Sequence, residues 1–318
     1  MGCQGSKTTA KFSHQAENNE QTNTMTNKAS DVPVFVSTEW LSEKMKDGGG
    51  GVCIVDVSWH MPQANRDPEA EYKDKHILGA HFLNLSDCKD KSSNLEMMLP
   101  SPDDFAKCVG ALGIGNDSHV VVYDNNAKLG MFSAPRAWYM FRVFGHDKIS
   151  ILNGGFPKWV AEDRPTTSEV PDVDAVTYSP CFRANLVKDR ADVESNMSEN
   201  RYTLLDARPP GRFNGEDPEP VPNIKSGHVK GSVNIPFPKT LDGDSKLFKE
   251  PNQLKDIFSD AGIDLSQPLT VLCGTGLTAS FLVLAAFSCG KLDVPIYDGA
   301  WMEWFLKSDP DTMEGVPE

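Results

Sequence analysis

The sequence has no Cys-x-x-Cys pair and no His/Cys cluster at metal-ligand spacing, although it carries seven cysteines, at positions 3, 53, 88, 108, 181, 273 and 289. Structural zinc needs such spacings, so no metal is expected. An odd, scattered set of thiols fits a reducing compartment better than a disulfide framework. Positive charge is also short: 31 Lys and Arg face 45 Asp and Glu, a formal net charge of -14. That balance argues against a nucleic-acid binder, which works by neutralising phosphates. No apolar run approaches the roughly 20 residues of a membrane span. The longest, near residues 281–287, has the length of a core helix. A secretory h-region is missing as well, and the first 31 residues lack Arg and contain Glu17 and Glu20, unlike a mitochondrial transit peptide. These absences leave a cytoplasmic chain. Its 318 residues, 24% charged and 39% hydrophobic, are ordinary globular composition with room for two domains.

Residues 1–31 are polar and rich in Asn, Thr, Gln and Ser, the composition of a disordered tail. The tail opens Met-Gly-Cys-Gln-Gly-Ser-Lys, which fits the acceptor pattern for N-myristoylation at Gly2, with Cys3 placed for a second, palmitoyl, chain. Two chains anchor stably where one does so marginally, so the tail offers a route to a membrane surface.

From Val34 onward short apolar runs alternate with helical patterns. Residues 51–57 and 119–124 read as strands and 133–144 as an amphipathic helix, the alternation of a parallel sheet covered on both faces. Internal similarity doubles this unit. Cys53-Ile-Val-Asp56 recurs as Thr203-Leu-Leu-Asp206, His76-Ile-Leu-Gly-Ala80 as His228-Val-Lys-Gly-Ser232, and Asn153-Gly-Gly-Phe-Pro-Lys-Trp159 as Asp298-Gly-Ala-Trp-Met-Glu-Trp304. The expected organisation is a tail over 1–31, an N-terminal domain over 32–165, a linker over 166–180, a second domain over 181–308 and a tail over 309–318.

The stretch from Leu269 to Gly290 carries the chemistry. It reads as a strand through Leu272, a tight loop, and a nearly all-apolar helix from Ala279 that Gly290 ends. Cys273 therefore stands at the carboxyl end of a strand and before a helix start, where backbone N–H groups and the helix dipole favour thiolate. Gly274 and Gly276 free the backbone to aim N–H donors at the sulfur. In the first copy the position opposite Cys273 is Asp124. Only the second copy can do thiol chemistry there.

These residues resemble the tandem-domain sulfurtransferases of the rhodanese and 3-mercaptopyruvate sulfurtransferase family. The resemblance runs from about Val34 to Lys307 and rests on Val36-Ser-Thr-Glu-Trp40, Asp56-Val-Ser-Trp59, His76 to Ala80, Ala134-Pro-Arg-Ala-Trp138, Leu152-Asn-Gly-Gly155, Gly211-Arg-Phe213, Gly227-His228, Val233-Asn-Ile-Pro-Phe237, the Cys273 loop and Asp293-Val-Pro-Ile-Tyr-Asp-Gly299. It implies two rhodanese-like α/β domains, each a five-stranded parallel sheet with helices on both faces, with only the C-terminal one catalytic and its site in the cleft between them. It implies no cofactor. Cys273 becomes a persulfide, which passes its outer sulfur to a thiol acceptor such as thioredoxin, or to cyanide in the test tube. Backbone N–H groups from Gly274 through Gly276 and Leu277 to Thr278 cradle the anion. Thr275 stands where the family has a serine, and Asp67 with His76 are candidates for a proton relay to it. Arg212 matches the arginine that holds the substrate carboxylate, and Trp40 is a candidate lining of the cleft.

The loop reads Cys-Gly-Thr-Gly, as mercaptopyruvate enzymes tend to, and lacks the Arg-Lys pair that thiosulfate enzymes tend to place after the cysteine. This favours 3-mercaptopyruvate. Against it, Val221 occupies the place of a second arginine, with Lys225 as a substitute charge four residues on. Thiosulfate sulfurtransferase is the alternative, and a non-catalytic, membrane-docked binding module a second. A Cys-x5-Arg phosphatase of the same fold is excluded because Ala279 stands where the arginine is required.

Overall fold

A computed structural model describes residues 32–47 and 51–317. The proposed lipidation sites Gly2 and Cys3, and the polar tail, lie outside the described residues. Among the described residues no helix is long and apolar enough to cross a membrane.

The N-terminal half runs β1 (Phe35–Val36), α1 (Thr38–Lys46), β2 (Val52–Asp56), α2 (Pro68–Asp74), β3 (His76–Ile77), β4 (His81–Phe82), α3 (Pro102–Gly110), β5 (His119–Tyr123), α4 (Ala134–Val143), β6 (Ile149–Leu152), α5 (Gly155–Ala161) and β7 (Thr166–Thr167). The C-terminal half follows with β8 (Val187–Lys188), α6 (Arg190–Glu199), β9 (Thr203–Asp206), α7 (Pro210–Phe213), β10 (His228–Val229), β11 (Val233–Asn234), α8 (Pro251–Asp260), β12 (Leu269–Leu272), α9 (Ala279–Ser288), β13 (Ile296–Tyr297), α10 (Ala300–Lys307) and β14 (Met313–Glu314). The strand order β1-β6-β5-β2-β4 of the first sheet is repeated as β8-β13-β12-β9-β11 in the second, parallel throughout. The internal similarity is thus a repeat of one α/β domain, with a five-stranded sheet in each copy.

The central strands β5 and β12 are buried nearly end to end, the fate of a Val- and Leu-rich run with helices on both faces. α4 and α9 are buried on all sides because they serve two sheets at once. Each covers its own sheet and packs against the other across the domain boundary, where the rings of Trp138 and Phe287 meet edge to face at 5.1 Å. One hydrophobic cluster therefore runs without a break from Val55 and Val120 in the first domain to Val271 and Leu284 in the second. Arg142, on α4, is tolerated in this seam by lying over the faces of Trp138 and Phe287, 4.9 and 4.2 Å from the ring centres.

The expected linker and the C-terminal stretch both carry strand pairings. Thr166 and Thr167, at the start of the expected linker, form β7 and pair antiparallel with His76 and Ile77, while further along Val176 and Cys181 bond to the first domain through Gly110 and Phe144. The C-terminal stretch expected to be a tail instead supplies β14, antiparallel to β10, and so braces the segment beside Gly227. In both cases a long-range partner, invisible in the local pattern, satisfies the backbone.

Candidate active site

Cys273 follows the last residue of β12 and is 1% exposed. The Gly276 N–H donates to its Sγ at 3.1 Å, which requires the loop to fold back on itself, and Gly276 does so at φ +86°. The loop is also gripped from outside. The first N–H groups of α10, which have no partner within their own helix, are used here: Trp301 N–H donates to the Cys273 carbonyl at 2.9 Å and Met302 N–H to the Gly274 carbonyl at 3.2 Å. The thiol is thus held by its own loop and by the element after the neighbouring strand.

The first domain has an N–H cradle at the matching place around a different group. Asp124, at the end of β5, receives the N–H groups of Phe132, Ser133 and Ala134 on Oδ2 at 2.7–2.8 Å. Burial nevertheless holds its carboxyl above the usual range, and Oδ1 finds no partner. A carboxylate in this anion cradle preserves the loop and removes the nucleophile.

A cluster of two arginines and two carboxylates stands beside Cys273. Arg208 is fully buried; its guanidinium bonds Asp206 (Nε at 3.0 Å), Glu219 (Nη1 at 2.8 Å) and the Gly227 carbonyl (Nη2 at 2.6 Å), and lies 4.8 Å over the Trp301 ring. Burial would push this guanidinium toward losing its proton, but the two carboxylates prevail and raise its affinity for it. Glu219 spends its second oxygen on Arg212 Nη2. Arg212 comes from the short helix α7, fixed by the Gly227 N–H on its carbonyl at 3.0 Å and by Phe213 stacked 3.8 Å from His228. Its guanidinium reaches the catalytic loop: a Cβ at Gly274 would lie 2.7 Å from Nη2. Arg212 Nε has no protein partner. The cluster's charges balance, two against two, and the Arg212 guanidinium stands beside the loop.

The opposite side of the loop belongs to the first domain. Arg136, on α4 and 1% exposed, donates through Nη1 to the Gly276 carbonyl at 3.3 Å and through Nη2 to Asp298 Oδ1 at 3.0 Å and to the Met97 carbonyl. Asp298 also accepts the Leu99 N–H at 2.8 Å. The first domain therefore supports the Cys273 loop of the second directly.

Three sequence expectations are corrected by this geometry. His76 is fully buried, stacked 4.0 Å from Tyr72, and places Nδ1 at 2.6 Å from the Tyr72 carbonyl and Nε2 at 3.2 Å from that of Glu169; neither nitrogen is left to serve Thr275. Asp67 is the N-cap of α2, accepting the N–H groups of Glu69 and Ala70. The relay from these two residues is not assembled. Trp40 does not line the cleft, but packs with the cluster around Leu41 and Trp159 and lies 5.6 Å from His119, the first residue of β5, at the strand end opposite Asp124. Lys225 is no substitute for the missing arginine either, because its ammonium bonds the Pro317 carbonyl at 2.9 Å, while Val221 joins the apolar cluster of Trp301 and Trp304. Thr275 is half-buried on the loop, and Leu277 and Thr278 lead into α9.

Sequence reasoning missed Arg208, Glu219, Arg136 and Asp298. One signal was available: where the second copy has Asp206-Ala-Arg208, the first has Asp56-Val-Ser58, so the arginine arises only beside the thiol. Among the described residues no group of three or more His, Cys, Asp or Glu could hold a metal.

A cysteine whose sulfur meets a loop N–H at the carboxyl edge of a doubled α/β sheet, with an arginine beside it, is an arrangement suited to thiol chemistry on an anionic substrate. The family model of the rhodanese-like domain matches twice, at residues 37–162 and 189–307, and the chain belongs to the rhodanese family. Thiosulfate sulfurtransferase of Cricetulus griseus is 45% identical over 281 residues, covering 87% of this chain and 94% of that protein. The 3-mercaptopyruvate sulfurtransferase of Mus musculus is 40% identical over 279 residues, covering 87% and 93%. Among solved structures, SseA of Escherichia coli, one of the 3-mercaptopyruvate sulfotransferases, is 34% identical with a TM-score of 0.76, covering 85% of this chain and 99% of that one. The chain is a sulfurtransferase close to both branches.

Proposed function

We propose that the donor is 3-mercaptopyruvate. The observation that carries this reading is the charge balance around Cys273. Arg208 and Arg212 face Asp206 and Glu219, and the loop itself, Gly274-Thr275-Gly276, adds no cation. Such a site has no surplus charge for a dianion such as thiosulfate, but the Arg212 guanidinium, its side chain 21% exposed beside the loop, suits a single carboxylate. The Cys273 thiolate attacks the thiol sulfur of the donor; the carbon–sulfur bond breaks, its electron pair going to the enolate of pyruvate, which takes up a proton. The Cys273 persulfide remains, stabilised by the Gly276 N–H, and a thiol acceptor such as thioredoxin removes its outer sulfur. The site of action is the cytoplasm, with acylation at Gly2 and Cys3 as the route to a membrane surface.

Thiosulfate is the second reading, favoured by Val221 in place of an arginine and by the 45% identity to thiosulfate sulfurtransferases. Assays with both donors in parallel separate the two, following pyruvate and, with cyanide, thiocyanate, against Cys273→Ser as blank. The expected result is a kcat/KM at least about tenfold higher for 3-mercaptopyruvate. A preference for thiosulfate would overturn the assignment, and equality of wild type and blank would favour a binding module. Intact mass of the protein from its own cells tests the acylation, which an unmodified Gly2 would exclude.

A further inference from the structure

Glu219 is an inward-facing carboxylate on an outward-facing loop. Glu216, Asp217 and Pro218 before it are exposed, whereas its own side chain is 2% exposed. The loop is tethered on both sides of it. The Glu216 and Asp217 N–H groups donate to the Gly211 carbonyl at 2.7 and 2.9 Å, and Gln63 of the first domain donates through Nε2 to the Pro220 carbonyl at 2.7 Å. The carboxylate so held is divided between two arginines, Oε1 accepting from Arg208 Nη1 at 2.8 Å and Oε2 from Arg212 Nη2. These guanidiniums are not equivalent. Arg208 is fully buried and fixed further by Asp206 and the Gly227 carbonyl, while the Arg212 side chain is 21% exposed and leans on Glu219. All three residues converge on the one that follows the nucleophile: a Cβ at Gly274 would lie 2.7 Å from Arg212 Nη2, 3.8 Å from Glu219 Oε2 and 3.9 Å from Arg208 Cδ.

We propose that Glu219 determines which donors the site takes: it fixes Arg212 against the immobile Arg208 and cancels one of the two guanidinium charges, so that a monoanion is received in preference to a dianion. The proposal rests on the reading of 3-mercaptopyruvate as the donor and names the residue that imposes it. The physical reason is Coulombic. A negative charge beside the bound donor repels a dianion twice as strongly as a monoanion, and at the effective dielectric of a partly buried site that difference is worth on the order of tenfold in relative affinity. Removing the charge therefore helps thiosulfate more than 3-mercaptopyruvate. Keeping the charge while shortening the carboxylate's reach instead loosens Arg212 for either donor.

Steady-state kinetics of variants whose folding is checked by circular dichroism separate charge from reach. Glu219→Gln keeps the shape and loses the charge, and its ratio of kcat/KM for thiosulfate to that for 3-mercaptopyruvate is expected to rise about tenfold over wild type. Glu219→Asp keeps the charge and shortens the reach; KM is expected to rise severalfold for both donors, with kcat within about twofold and the ratio unchanged. Because Glu219→Gln strips a counter-charge from buried Arg208, a double variant with Arg208→Met removes one charge of each sign, and its ratio is expected to match wild type. A glutamate that merely supports the fold would lower kcat/KM for both donors by one factor. An unchanged or lower ratio in Glu219→Gln, or a raised one in the double variant, would overturn the charge role, and an unchanged KM in Glu219→Asp the positioning of Arg212. A wild type that prefers thiosulfate would overturn the donor assignment alone, since Glu219 is judged by the change from wild type.

Discussion

Arg212 and Asp56 show how single residues divide the labour between binding and stability. Arg212 shares Glu219 with Arg208 and brings its guanidinium up to Gly274. With 3-mercaptopyruvate as the proposed donor and Arg212 as the proposed partner of its carboxylate, Arg212→Met is expected to raise KM on the order of 10- to 100-fold with a smaller change in kcat. Steady-state kinetics with 3-mercaptopyruvate check this. Asp56, the counterpart of Asp206 in the first domain, has no arginine: Ser58 donates to its Oδ1 from both N–H and hydroxyl. Burial dominates and pushes its carboxyl up to about 7. A raised carboxyl pKa means that the folded state holds a proton the unfolded state has released. The contribution to stability is full below the unfolded value near 4 and is lost as pH rises through about 7. Urea midpoints of wild type are expected to gain a falling component between about pH 4 and 7 from this group, and Asp56→Asn, which keeps the shape without the charge, to lack it.

At the scale of elements, the loop between β12 and α9 is held from within by Cys273 and from outside by α4 and α10. Gly276 holds φ +86°, and a Cβ there would come 3.3 Å from both Arg136 Nη1 and the Asp298 carbonyl. Gly276→Ala therefore combines a left-handed backbone for a residue with a Cβ, a cost of about 1–2 kcal/mol, with a push against the residues that hold the loop. The N–H that meets Cys273 belongs to the same residue, so kcat is expected to fall by more than tenfold while the thermal midpoint falls only a few degrees. A loss of stability with intact kcat would mean that the Gly276 donor is not used in turnover. α9 itself was readable as a buried helix from its apolar run, but its second partner, α4, was not, because an all-apolar surface says that both sides are covered and not by what.

On the scale of the whole molecule, the two domains are held by one core and by Arg136. Arg136→Met is expected to destabilise by about 3–5 kcal/mol, because it leaves Asp298 buried without its cation. Adding Asp298→Asn to Arg136→Met is expected to recover part of that loss in chemical unfolding, the signature of a coupled pair. Activity is not expected to return with stability, since the Gly276 carbonyl still lacks its donor. Recovery of full activity in the double variant would reduce Arg136 to a structural role. The retention of a domain that has Asp124 in place of a nucleophile is explained by this contact and by the shared seam of α4 and α9.

The sequence alone determined the doubled α/β unit, because strands at regular spacing with the same local motifs repeat whatever surrounds them. It also singled out Cys273, from its place between an apolar strand and an apolar helix and from Asp124 at the matching position of the first copy, and Arg212, from its Gly-Arg-Phe context. Only the tertiary structure decided which polar residues share that site. Glu219 meets two arginines, Arg136 crosses between domains, and His76 turns its ring nitrogens toward two carbonyls. Each of these is a contact between residues far apart in the chain, chosen by which buried polar atoms needed partners once the sheets had packed; local pattern records that a residue is polar, and packing alone decides what it answers.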